Sequence, residues 1–269
     1  MSKIRINIPE SDVMVNKSVT YEIEEKILWA KIARPRALNA IDFEVMEQLE
    51  SILDLLEKDE AIRVFILSGE GHKSFVSGGD LRKFSTLDTE EDGKKMAQRM
   101  TTILKRIEAL NCITIACING DAYGGGCETT LAFDFRIAAE HIRFGFTQAR
   151  FYLPPGWGGL TRLVELVGRA TALEWLASSA IINSRTALDK GLINKVVSTD
   201  ALVDETKKWA EELSQNDRHF IRSLKENIRN MNSLSRDESL EVELSSFIKF
   251  WASEEHFNRI ADFLNRNKN

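Results

Sequence analysis

The chain has 269 residues, enough for one large domain or for a domain with a small appendage. Its composition, 43% hydrophobic and 29% charged, is ordinary for a globular protein, and its formal net charge of -5 argues against nucleic acid or an anionic membrane as the main partner. The polar N-terminus argues against a secretory signal, and the sequence has no apolar run of the roughly 18 residues that a membrane span needs. We therefore expect a cytoplasmic protein that acts on a small molecule.

The first half of the chain alternates predicted strands and helices. Residues 18–33 are predicted to form two short strands, and Asp42 is placed to cap the helix that follows them. Buried strands are predicted over Val64–Gly69 and Cys112–Ile118, with an amphipathic helix over residues 91–109 between them. This alternation predicts a mostly parallel sheet covered by helices, the α/β class.

The second half is predicted to be mainly helical beyond Gly158, apart from a short strand at Ile193–Val197. We predict an α/β core over residues 1–195 and a helical C-terminal region over residues 196–269. The apolar residues of that region recur at helical spacing, so it is expected to pack on its own core or on a neighbouring subunit. Cysteines 112, 117 and 127 all lie in apolar sequence, which favours reduced core thiols.

The most informative stretch is Tyr123–Glu128, in which three glycines precede a carboxylate. Glycine lets the main chain approach a ligand closely, so N–H groups in such a turn can point at a developing negative charge. Glu128, at the start of a predicted helix, would then stand beside that charge as an acid/base. Two plainer interpretations remain open: an ordinary glycine loop, and a carboxylate that only stabilises the helix start.

Six segments in chain order carry a resemblance to the enoyl-CoA hydratase/isomerase family, the crotonase superfamily: Arg34–Ala40, Phe75–Asp80, Asn119–Glu128, Asp134–Ala138, Pro155–Gly159 and Ala187–Val197. The resemblance implies a crotonase-like spiral of ββα units with a helical C-terminal region that supports homo-trimers or hexamers and covers the active site. It also implies an acyl-CoA thioester substrate, with no cofactor beyond the CoA of that substrate. The family's oxyanion hole, two backbone N–H groups that stabilise the thioester enolate, maps onto Ser77 and Gly125.

The resemblance also suggests which residues contact the substrate. Residues 36–40 resemble the part of the family that receives the adenine and pantetheine of CoA, and the implied contacts are Arg34, Arg36, Ala37, Leu38, Gly78, Gly79, Asp80, Leu81 and Gly124. Arg34 and Arg36 are candidate phosphate contacts, and the alternative is that both are solvated surface charges. Asp80 is expected to cap the helix after its glycine turn rather than to react.

One position departs from the family pattern. Family hydratases hold water between two glutamates; Glu128 matches the first, but Gln148 stands at the second, and the sequence has no carboxylate between Glu140 and Glu165. An amide does not exchange a proton at neutral pH, so a single acid/base favours double-bond isomerisation or decarboxylation of a malonyl-type thioester over ordinary hydration. The alternatives are hydration by Glu128 alone and a non-catalytic CoA-binding protein.

The segment from Pro155 to Glu165 resembles members related to ethylmalonyl-CoA decarboxylase. Arg150 is a candidate contact for the extra carboxylate of such a substrate, with a surface salt bridge as the alternative. Trp157 is a candidate wall of the acyl pocket, with plain core packing as the alternative. The four histidines are scattered without zinc-like spacing, so no metal site is expected.

Overall fold

The structure, a computed structural model, describes residues 17–231 and 233–266. In these ranges the strands are β1 (Val19–Glu24), β2 (Ile27–Ile32), β3 (Val64–Gly69), β4 (Ser74–Val76), β5 (Ile113–Ile118), β6 (Asp121–Tyr123), β7 (Phe135–Ala139), β8 (Arg143–Gly145), β9 (Ile181–Asn183) and β10 (Lys195–Val197). The helices are α1 (Phe43–Lys58), α2 (Leu81–Phe84), α3 (Glu90–Ala109), α4 (Gly125–Leu131), α5 (Gly159–Val167), α6 (Arg169–Ala177), α7 (Ser184–Asp189), α8 (Leu202–Leu213), α9 (Arg218–Asn230), α10 (Arg236–Trp251) and α11 (Glu254–Arg266). Short 3-10 turns span Pro35–Ala37 and Gln148–Phe151. The N-terminal residues used to argue against a secretory signal lie outside the described residues.

The larger sheet has the strand order β1-β2-β3-β5-β7-β10. It is parallel except for the β1–β2 hairpin at one edge, which confirms the two strands predicted at residues 18–33. Every residue of β3 and β5 is buried, as expected for central strands covered on both faces. The predicted helix after Asp42 is α1, and the Asp42 side chain accepts the Val45 N–H at 2.9 Å, confirming the cap.

A second, smaller sheet was not predicted. It has the order β4-β6-β8-β9, and its strands are only three residues long. Strands this short carry almost no periodicity, so the sequence pattern could not separate them from loops. Between Gly120 and the glycine run, Asp121–Tyr123 forms β6, which pairs in parallel with β4 and β8.

The two sheets place three loops together. The first loop, residues 34–39, follows β2, and the second, residues 77–80, follows β4. Ile41 N–H donates to Gly78 O and Asp80 N–H donates to Ile41 O, both at 2.8 Å, so these loops are joined by a short parallel bridge. The third is the glycine run at the start of α4, which directly follows β6, the strand paired with β4.

The predicted division at residue 195 falls at the start of β10, which pairs with β7 in the larger sheet. The C-terminal helices are confirmed as helices, but α10 has no buried residue in the single chain. Large apolar side chains on it are exposed, among them Leu244, Phe247 and Trp251. Within the described ranges, no helix combines the length and apolar character required to cross a membrane.

Candidate active site around Glu128

Glu128 is a buried carboxylate held mainly by the protein backbone. It lies in the first turn of α4 with 3% of its surface exposed, and its Oε2 accepts the N–H groups of Trp157 at 2.8 Å and Gly159 at 2.9 Å. The N-terminus of α5 therefore faces the carboxylate, which suits a negative charge. Both amides were missed by sequence reasoning, although the adjacent Gly158-Gly159 pair signalled a close backbone approach.

Burial raises the pKa of Glu128 above its usual value, because desolvation of the charged form outweighs the hydrogen bonds from Trp157, Gln148 and Gly159 that favour it. A carboxyl group with a raised pKa can both release and return a proton near neutral pH. The helix-start interpretation alone does not explain this burial. The geometry and the raised pKa fit an acid/base, and the catalytic role stays a prediction.

Gln148 stands next to Glu128, as the prediction for these two residues requires. Its Nε2 donates to Glu128 Oε1 at 3.1 Å from the 3-10 turn Gln148–Phe151. Gln148 Oε1 is buried and has no hydrogen-bond partner among the described residues. Since a buried acceptor without a partner costs free energy, this oxygen is available for a donor such as water or a substrate hydroxyl.

The glycine run is not a free loop. Gly124 has φ 51° and precedes α4 as its N-cap, while the next two glycines already belong to the helix. A Cβ on Gly126 would lie 1.8 Å from Val76 O, so only glycine lets α4 approach β4 this closely. This contact brings the N–H of Gly125 beside Gly78, where an added Cβ would lie 3.3 Å from Gly125 N.

The two predicted oxyanion donors lie on these neighbouring segments, but they differ in how they are engaged. The Gly125 N–H is the first amide of α4 and has no acceptor within the described ranges. The Ser77 N–H donates to Leu38 O at a long 3.2 Å. A thioester oxygen bound there would share the Ser77 N–H with Leu38 or replace that acceptor. Gly78 follows with φ 108°, a conformation that favours glycine.

Arg34 is not a solvated surface charge, so that alternative is wrong for this residue. Its Nη2 lies 2.8 Å from Asp80 Oδ2 and 3.1 Å from Asp42 Oδ2, and its side chain is 15% exposed. A guanidinium that already neutralises two carboxylates has little charge left for a phosphate. Asp80 also accepts the Lys83 N–H at 3.2 Å, which confirms that it caps α2.

The other residues predicted to receive CoA lie at the surface beside this cluster. Arg36 is exposed, Leu38 is 48% exposed and has φ 52°, and Ala37 ends the 3-10 turn at half-burial. A groove of about 510 Å³ lies there, lined by Arg36, Leu38, His72 and Lys73 with their neighbours. Leu81 is 57% exposed at the start of α2. These exposed side chains and the groove are compatible with ligand contact.

Trp157 packs in the core and also faces the glycine run, so its two interpretations do not exclude each other. It is 5% exposed, and a Cβ on Gly125 would lie 2.2 Å from its ring atom Cζ3. A Cβ on Gly79 would lie 3.5 Å from Cζ2 of the same ring. The indole Nε1–H donates to the sulfur of Met96 at 3.4 Å.

Arg150 lies on the same 3-10 turn as Gln148 but is exposed. Its Nη2 donates to Ser179 O at 3.3 Å, and no carboxylate among the described residues lies within ion-pair distance of it. The expected surface salt bridge is therefore absent from the described ranges, and contact with a substrate carboxylate stays a prediction.

Comparison with known proteins agrees with this architecture. The family model described as Enoyl-CoA hydratase/isomerase matches residues 22–269. A short-chain-enoyl-CoA hydratase of Clostridium acetobutylicum is 32% identical over 251 residues, covering 93% of this chain and 96% of that protein. An ethylmalonyl-CoA decarboxylase of Homo sapiens is 31% identical over 231 residues, covering 84% of this chain and 75% of that protein.

Among solved structures, an enoyl-CoA hydratase from Bacillus anthracis matches with a TM-score of 0.89 and 29% identity, covering 93% of this chain and 96% of that chain. The two sheets and the helices around them therefore form the crotonase fold, as predicted from the sequence. The chain belongs to the enoyl-CoA hydratase/isomerase family, the crotonase superfamily.

Proposed function

We propose that this protein is an acyl-CoA enzyme that forms a thioester enolate, with Glu128 as its single acid/base. The observation that carries the proposal is the pairing of a buried carboxylate of raised pKa with an amide, Gln148, at 3.1 Å. The N–H groups of Ser77 and Gly125 would stabilise the enolate oxygen. One such donor typically contributes about 3–4 kcal/mol to lowering the barrier.

A single proton-transfer group suits isomerisation or decarboxylation better than ordinary hydration. In isomerisation, Glu128 would take a proton from the α carbon of a 3-enoyl thioester and return it to the γ carbon. In decarboxylation of a malonyl-type thioester, the bond to the carboxylate breaks, CO₂ leaves, and the electron pair forms the enolate. The α carbon is then protonated, for which a carboxylic acid with a raised pKa is suited.

Hydration by Glu128 alone is the second candidate, and the unpaired Gln148 Oε1 favours it. A water donating one hydrogen to Gln148 Oε1 and another to Glu128 Oε1 would be oriented by both, although only Glu128 could take its proton. Relatives named as a short-chain-enoyl-CoA hydratase and a crotonyl-CoA hydratase support this candidate for the present chain.

The groove beside the Pro35–Ala37 turn supports binding of the CoA body. Lys73, His72 and Arg36 line it together with apolar groups, a combination that suits phosphates joined to an adenine ring. The proposed chemistry requires no cofactor beyond the CoA of the substrate.

We also propose that the protein assembles as a homo-trimer or hexamer through its C-terminal helices. On α10, Leu244, Phe247 and Trp251 are each more than half exposed in the single chain. An apolar surface of this kind is typical of a protein interface. A second copy of the same chain is the expected partner.

A panel of thioesters tests the proposed chemistry. The protein is incubated in deuterated water with 2-enoyl-, 3-enoyl- and malonyl-type CoA esters, and the products are followed by mass. We expect double-bond migration or loss of CO₂, with deuterium at the carbon that is protonated, and a loss of turnover of about 10²–10⁴-fold in Glu128→Gln. Binding of acyl-CoA without any turnover across the panel would show a non-catalytic CoA-binding protein instead.

The Gln148→Glu variant separates the two candidates. It places a second carboxylate beside Glu128, where the Gln148 amide donates at 3.1 Å in the unmodified protein, and so restores the two glutamates that family hydratases use. Under the first candidate we expect hydration to appear or rise in the variant while migration or CO₂ loss falls. If the unmodified protein already hydrates faster than it isomerises or decarboxylates, and Gln148→Glu changes this little, hydration by Glu128 alone is the correct function.

A further inference from the structure

We propose that the indole of Trp157 sets the upper limit of acyl-chain length, so that the substrate is a short-chain acyl thioester of butyryl rather than octanoyl size. The inference rests on the proposed function, because it takes the thioester oxygen to bind at the Gly125 N–H. The position of the acyl chain then follows from what surrounds that amide.

The indole fills the space that opens where two glycines lack side chains. A Cβ on Gly125 would lie 2.2 to 2.7 Å from three atoms of the six-membered ring of Trp157, so this ring rests directly on the Gly125 backbone. The same ring reaches the Gly79 side, where an added Cβ would lie 3.5 Å from Cζ2. An acyl chain that leaves a carbonyl held between residues 77 and 125 therefore meets the indole.

Neighbouring side chains pack around the indole ring. Phe84 covers Gly79, since a Cβ added to Gly79 would lie 2.9 Å from Cε2 of Phe84. Phe43 packs on Phe84 with ring centroids 5.3 Å apart. On the α3 side, the sulfur of Met96 accepts the indole N–H. A chain that extends past the indole would therefore contact Phe84 or Met96, which are both partly buried.

Moving the indole aside is also unfavourable. Trp157 is 5% exposed, and its backbone N–H donates to Glu128 Oε2 at 2.8 Å. Displacement of the indole would break the contact with Met96 and disturb the residue that holds the acid/base. A closely packed aromatic ring with a satisfied N–H makes a firm end wall.

Affinity for a series of saturated acyl-CoA esters measures this limit without any turnover. In an open apolar pocket each added methylene strengthens binding about fourfold. We expect the dissociation constant of the unmodified protein to fall from acetyl- to butyryl-CoA, and then to stay level or rise through hexanoyl-, octanoyl- and decanoyl-CoA. Isothermal titration calorimetry gives these values directly.

Two substitutions of Trp157 test its role. Trp157→Ala should remove the limit. The affinity for hexanoyl- and octanoyl-CoA, expressed relative to that for butyryl-CoA, should then be at least tenfold higher in the variant than in the unmodified protein. Trp157→Phe keeps a buried ring but shortens it, and should shift the tightest-binding ester by one or two methylenes. This second variant keeps the test decisive if the alanine variant does not fold.

Trp175→Phe is the matched control, because Trp175 is also 5% exposed and stacks on Phe146 with ring centroids 5.5 Å apart. It should leave the chain-length series unchanged. The inference is overturned if decanoyl-CoA binds the unmodified protein at least as tightly as butyryl-CoA, or if Trp157→Phe does not change the series. An absence of turnover with a clear butyryl preference would reject the proposed enolate chemistry while leaving this limit standing; no binding of any acyl-CoA would reject both.

Discussion

Replacing Glu128 by glutamine should stabilise the protein at neutral pH while lowering its turnover about 10²–10⁴-fold. Burial raises the pKa of Glu128 above the usual 4.5, so the folded protein binds the proton more tightly than the unfolded chain does. The stability that this preference contributes is fully present below pH 4.5 and is lost as pH rises through the raised pKa of the folded state. Glutamine does not titrate, so the variant escapes that loss.

The size of the effect follows from the hydrogen bonds that the variant can keep. The glutamine oxygen can accept the N–H groups of Trp157 and Gly159, and its amide can donate to Gln148 Oε1, which is unpaired beside Glu128. When the Gln148 amide turns over to make this bond, its Nε2 replaces its Oε1 as the buried atom without a partner, so the number of unpaired atoms on Gln148 does not rise. Each pH unit by which the folded pKa exceeds the unfolded one is worth about 1.4 kcal/mol, so we expect the variant to be the more stable protein at pH 8.

Urea unfolding at pH 5, 6, 7 and 8 measures this difference for the unmodified protein and the variant. The gain in unfolding free energy should grow with pH and level off once the folded carboxyl is ionised. Asp42→Asn is the control of opposite sign. Burial alone would raise the pKa of Asp42, but the hydrogen bonds from Lys83 and Val45 outweigh it and lower that pKa. The ionised carboxylate therefore stabilises the fold at pH values above its unfolded pKa. A Glu128→Gln difference independent of pH would refute the reasoning.

Two further predictions concern packing. Gly159→Ala should displace Glu128, because an added Cβ would lie 2.3 Å from Glu128 Cγ, and we expect a loss of about 1–3 kcal/mol in stability and of most turnover. Gly156→Ala is the control and should be tolerated, because its Cβ meets nothing within 4 Å. Equal activities of the two variants would contradict this prediction. Phe247→Arg should lower the mass of the assembled protein measured by light scattering. Leu173→Arg is the control and should leave that mass unchanged, because Leu173 is a comparably exposed apolar residue on α6. An unchanged mass for Phe247→Arg would contradict the proposed interface.

The elements of the larger sheet were predictable because their residues repeat a clear pattern. The run of buried β-branched residues in β5 and the capped amphipathic helix α1 each extend over six or more residues. The smaller sheet was not predictable, because strands of three residues acquire their conformation from pairing partners distant in sequence. Ser74 of β4, for example, pairs with Asp121, 47 positions later.

At the site, the sequence indicated the side chains but not the backbone groups that hold them. The glycine run pointed to Glu128, and the departure at Gln148 could be counted from Gly158-Gly159. The N–H donors of Trp157 and Gly159 depend on how α5 is placed against α4, which no local pattern records. The ion pair of Arg34 could not be predicted for a similar reason: its partner Asp80 is 46 residues away and is brought near by the bridge between Ile41 and Gly79.

The arrangement separates the parts that hold the acid/base from the part that decides its reaction. Glu128 is held by main-chain donors at and just before the start of α5, and the approach of α4 to β4 depends on Gly126 lying against Val76 O. Gln148 touches Glu128 only through its side chain, from a short 3-10 turn outside those elements. One substitution at position 148 can therefore add or remove a second carboxylate without altering the backbone that positions Glu128. Related chains can thus differ in reaction while sharing one fold, because this side chain is independent of the frame around it.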